Sequence, residues 1–134
     1  IAARKFLTNE ERWPTLVGIL VMVSGAFYFL VGLTLDYSLY LTMALVMLAH
    51  SASGANWVLS TILTQQWVED EVRGRVFSMD MLLMSIAFSI SSAAAGYLLE
   101  EEFFTLRNGF LIFSVIMMVS GAFFSMWRAE PNRA

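Results

Sequence analysis

Four stretches of about 20 residues or more, each almost free of charge, leave this chain little freedom in how it can fold. The hydrocarbon core of a bilayer is about 30 Å thick, and a helix rising about 1.5 Å per residue crosses it in about 20 apolar residues. The pattern predicts spanning helices over 13–35, 37–67, 73–99 and 106–127. Pro14 falls in the first turn of the first, where its missing N–H costs nothing, and Asp36 is placed to N-cap the second. No alternation of apolar and polar residues lasts long enough for a membrane barrel. Composition agrees: of 134 residues 58% are hydrophobic and 14% charged, and a globule of this size cannot hide that much apolar surface. The expected fold class is an all-α integral membrane protein with four transmembrane helices.

Several functions are excluded by what the chain lacks. With no cysteine it has no disulfide, thiolate zinc site or iron–sulfur cluster, and its one histidine cannot build a His-rich metal site. A net charge of −3 speaks against nucleic acid as a partner. Ser51 and Ser53 lie beside His50 on one helix, whereas a Ser–His dyad needs its base from a separate element. No glycine-rich phosphate loop or metal motif is present. Neither a cofactor nor enzyme activity is expected. The chain begins at Ile1, and Ile1–Arg12 lacks the apolar core of a signal peptide, so a piece of a longer protein is expected.

Basic residues set the expected orientation. Of the eight Lys and Arg, Arg4, Lys5 and Arg12 precede the first span, Arg73 and Arg75 separate the second from the third, and Arg128 and Arg133 follow the fourth. Arg107 alone falls on the other side, beside Glu100, Glu101 and Glu102 and near Asp36. The count places both termini in the cytoplasm, in a multi-pass protein of the plasma (inner) membrane.

Helical phase shows what each span is built to touch. Gly18, Gly25 and Gly32 share one stripe of the first span; Ser114, Gly121 and Ser125 share one of the fourth. Ser78, Ser85, Ser89, Ser92 and Gly96 lie in a narrow arc of the third. Helices in lipid gain by close backbone approach, so small-residue stripes mark packing seams, some of them toward helices outside this chain. The second span differs. His50, Ser53, Gly54, Trp57, Ser60, Thr61, Thr64 and Gln65 gather on one side, with Asn56 at the edge of the stripe; Ala52, Ala55, Leu59, Ile62 and Leu63 lie opposite. A polar stripe in mid-membrane is costly unless it faces protein or water, which suggests a helix lining a polar cavity. His50, about midway, suits either uptake of a coupling proton or contact with a polar solute; the alternative is a neutral ring donating to a neighbouring carbonyl.

The loop after the second span has its own logic. Glu69, Asp70 and Glu71 suit the positive end of a helix dipole. Arg73 and Arg75 offer planar, permanently charged forks to carboxylates, and Gly74 permits close backbone approach. Asp80, a turn or so inside the third span, can reach the interface or pair with a base such as Arg73. Such contacts either gate the protein by holding one of its states or anchor it at the surface.

The run Asp70-Glu71-Val72-Arg73-Gly74-Arg75-Val76, following Asn56 and Thr61-Ile62-Leu63-Thr64-Gln65, resembles the major facilitator superfamily, and within it the bacterial drug and siderophore exporters, a group that includes enterobactin exporters. The resemblance implies that the four spans are the ninth to twelfth helices of a twelve-helix fold, with the second span here lining a central substrate cavity. It implies proton-coupled efflux of a small amphipathic molecule or siderophore by alternating access. The implied partners are the lipid bilayer, a small-molecule substrate and the missing N-terminal helices of the parent transporter. A self-contained four-span scaffold or complex subunit is the alternative, supported by the small-residue striping.

Overall fold

The computed structural model describes residues 13–100 and 105–126. Arg4, Lys5, Arg12, Glu101, Glu102, Trp127, Arg128 and Arg133 lie outside the described residues. Within them the chain forms four helices, α1 (Trp13–Thr34), α2 (Leu39–Trp67), α3 (Asp70–Glu100) and α4 (Leu106–Met126). The architecture is that of an all-α membrane protein. By length and composition α1, α3 and α4 are apolar enough to cross a membrane. α2 falls outside that set although its 29 residues would reach about 43 Å. Its polar stripe dilutes its oil.

The helix starts follow local chemistry. The α1–α2 turn is closed by the Tyr37 amide donating to the Thr34 carbonyl at 3.0 Å. Ser38, not Asp36, caps α2: its backbone is extended and its hydroxyl accepts from the Leu41 amide at 3.5 Å. Asp36 is spent elsewhere, on Arg107 at the start of α4, at 2.8 Å. α3 begins at Asp70, three residues before the predicted span, with Asp70 and Glu71 in its first turn as the dipole argument requires. Thr105 opens α4, its hydroxyl accepting from the Asn108 amide at 3.2 Å.

α1 is the centre of the packing, with α4 on one side and α2 on another. The two glycine stripes meet there. A Cβ on Gly18 would lie 2.6 Å from the Gly121 carbonyl oxygen, one on Gly25 would lie 3.1 Å from the Ser114 carbonyl oxygen, and one on Gly32 would press on Leu111 at 3.0 Å. Backbones this close exclude any larger residue, which is how helices associate in lipid without a hydrophobic driving force. On its other side α1 meets α2 through Leu45, Ala49, Ala52 and Leu63, all buried. With Asn56 and Leu59 these fall at alternating steps of four and three, the register of a helix–helix seam. α3 buries none of its residues, and a Cβ on Gly96 would meet nothing within 4 Å. Its serine arc is uncovered by the other described helices.

Candidate functional site

The polar flank of α2 lies away from the seam that α2 makes with α1. His50, Ser53, Gly54, Trp57 and Gln65 are exposed, Ser60, Thr61 and Thr64 partly so. At 100° per residue the flank is centred about 120° from the line of Leu45, Ala52 and Leu63, so burying one face leaves the other open. Asn56 stands apart from this group. It sits within the seam rather than at the edge of the stripe, and its Oδ1 is buried with no hydrogen-bond partner among the described residues.

The hydroxyls of the flank are largely satisfied by their own helix. Ser60 and Thr61 donate to the Trp57 carbonyl at 3.0 and 2.8 Å, and Thr64 donates to that of Ser60 at 3.0 Å. This back-bonding lets Ser and Thr sit in an apolar medium, and it leaves their oxygens turned outward as acceptors. Ser53 makes no such bond among the described residues. The side chains of this flank that keep polar capacity unspent among the described residues are therefore His50, Ser53, Trp57 through its indole N–H, and Gln65.

His50 is held by a contact that the sequence did not disclose. The Tyr28 hydroxyl of α1 lies 3.0 Å from His50 Nδ1, and the Val46 carbonyl oxygen lies 3.1 Å from the same nitrogen. Tyr28 in turn stacks on Phe110 of α4, so three helices fix one imidazole. One residue earlier on α2, the Ala49 carbonyl accepts a buried hydrogen bond from Ser24 of α1 at 3.0 Å. Ser24 and Tyr28 are one turn apart on α1, and their signal was present as polar groups in an otherwise apolar span.

The loop residues form a tight local structure. Arg73 pairs with Asp70 at 2.6 Å and donates to the Val68 carbonyl at 3.0 Å, tying the first turn of α3 to the end of α2. Arg73 is thus engaged by Asp70 and not by Asp80, because three residues bring two side chains onto one helix face within a single turn. Glu71, Gly74, Arg75 and Asp80 are exposed, and among the described residues Arg75 and Asp80 form no ion pair. Among the described residues no group of acidic, His or Cys side chains is arranged to hold a metal.

At the far end of α3, Ala95, Leu98 and Leu99 face Phe110, Phe113 and Met117 of α4 across an apolar cavity of about 330 Å³.

The family model of the Major Facilitator Superfamily matches residues 9–134, nearly the whole chain. The chain belongs to that superfamily. No curated protein and no solved structure matches it. This facilitator chain is accordingly a multi-pass membrane protein of a transporter family, in contact with the bilayer and serving a small-molecule substrate. Members of the family are transporters rather than enzymes.

Proposed function

We propose that this facilitator chain is the C-terminal part, helices nine to twelve, of a twelve-helix secondary transporter. It works by proton-coupled efflux of a small amphipathic molecule or siderophore, in an inner membrane with both termini cytoplasmic. One observation carries the reading: α2 spends its apolar seam on α1 and keeps its polar flank uncovered. In a rocking carrier a polar helix face without a partner in its own bundle belongs at the solute path between the two halves. His50, Ser53, Trp57, Ser60, Thr61 and Thr64 then line that path, with Asn56 set beside it in the seam with α1. Asp70, Glu71, Arg73, Gly74, Arg75 and Asp80 form a loop whose contacts differ between inward and outward states. The bare serine arc of α3 supports the same reading, as a surface awaiting helices of the parent protein.

These 134 residues hold no cysteine, so once any cysteine elsewhere in the parent is replaced, single cysteines introduced here report cleanly. In the full-length parent, Ser53→Cys and Thr61→Cys are expected to react with a membrane-impermeant maleimide, and Ala55→Cys and Ala52→Cys to resist it. Equal labelling at all four positions, or none at Ser53 and Thr61, overturns the reading. Transport unchanged in both amount and pH dependence in His50→Ala counts equally against it.

A further inference from the structure

The His50 ring is held through one nitrogen only. Nδ1 lies 3.0 Å from the Tyr28 hydroxyl and 3.1 Å from the Val46 carbonyl oxygen, while Nε2 has no hydrogen-bond partner among the described residues. A carbonyl oxygen has no hydrogen to give. Were Nδ1 bare, its lone pair would face those of the carbonyl at hydrogen-bonding distance with nothing between them. The neutral ring therefore carries its proton on Nδ1, shared between the Val46 and Tyr28 oxygens, and Nε2 is a bare acceptor.

Tyr28 is itself braced. Its ring stacks on Phe110, centroids 6.2 Å apart at 24°, and meets the imidazole edge to face at 5.9 Å and 72°. No Asp, Glu, Lys or Arg occurs on α1 or α2, and the single such residue of α4, Arg107, is paired with Asp36. Tyr28 is thus the one titratable group facing His50 from the helices packed around it, and no carboxylate competes for Nε2.

We infer that the Val46 carbonyl selects the Nδ1–H form of His50 and that Tyr28 is a positioning residue that orients this ring, so that Nε2 accepts from the transported solute, which must carry an N–H or O–H donor. This rests on the reading of the α2 flank as part of the solute path and adds the chemistry recognised there. A hydrogen bond involving a charged donor contributes about 1.5–3 kcal/mol, so a donor-bearing cation should bind roughly tenfold or more tightly than one of equal charge without a donor.

The full-length parent in lipid nanodiscs, with any histidine outside these 134 residues replaced and the protein 15N-labelled at histidine, gives one pair of ring-nitrogen signals, that of His50. With the ring neutral, the protonated nitrogen is expected to be Nδ1, and a proton found on Nε2 overturns the inference without any variant. Tyr28→Phe keeps the ring and its stacking and leaves the Val46 carbonyl as the partner of Nδ1, so the proton is expected to stay on Nδ1 while the response of Nε2 to a donor-bearing solute weakens; an unchanged response overturns the positioning role. Benzylammonium is expected to move the Nε2 signal at concentrations roughly tenfold or more below those needed for benzyltrimethylammonium, and an equal response overturns the donor requirement. An Nε2 silent to both probes, in a protein whose Ser53→Cys and Thr61→Cys label from water, sinks this inference alone. Unlabelled cysteines sink the path reading beneath it.

Discussion

Gly18 and Gly121 face each other backbone to backbone: a Cβ on either would lie 2.6 Å from the other's carbonyl oxygen. No rotamer change relieves a clash with backbone. Gly121→Val is expected to push α4 off α1 and cost at least the 1–3 kcal/mol typical of overpacking. Gly54→Ala is the control, since its Cβ meets nothing within 4 Å; it should leave the bundle as stable or slightly more so. Thermal unfolding in detergent distinguishes the two.

Ser24→Ala removes a buried cross-helix hydrogen bond to the Ala49 carbonyl. Such bonds within membranes average about 0.6 kcal/mol, because the unfolded helix finds other partners in lipid. A small loss is therefore expected by steric-trapping or denaturant measurement. A loss of several kcal/mol would mean that the bond holds the His50 region in place.

The Asp36–Arg107 pair joins the α1–α2 turn to the start of α4, with side chains 73% and 43% exposed. Solvent screens it, so a double-mutant cycle should give less than about 1 kcal/mol, diminishing further in high salt.

Arg73→Ala frees the first turn of α3 from the Val68 carbonyl and from Asp70. Faster amide exchange at Val72 and Arg73 is the expected result, with Arg73→Lys recovering only part of the protection because one ammonium cannot reproduce the planar fork.

The helices were legible because their periodicity and length are coarse signals, and their ends came within about three residues of the sequence reading. That Gly18, Gly25, Gly32 and Gly121 form packing seams was legible too, since only glycine permits such approach, but their pairing of α1 with α4 was not. What phase alone could not supply was the choice between partners. Asp36 had a helix N-terminus and an arginine within reach and took the arginine. Arg73 had Asp70 and Asp80 among the carboxylates of its own helix and took the one a turn away. Asn56 falls by angle among Leu45, Ala49, Ala52 and Leu63, and only the position of α1 shows that this face, polar amide included, is the one that packs. Tyr28 meets His50 through a contact between residues 22 apart in sequence, which no local pattern encodes.

α3 buries none of its residues and leaves most of its surface open, whereas α1, α2 and α4 are knitted by glycine contacts, a buried hydroxyl and a stack of rings. Mechanically that makes a rigid block of three and one outrigger tethered at its ends. Swinging the outrigger breaks little that holds the block together, so within this chain α3 is where motion is cheapest.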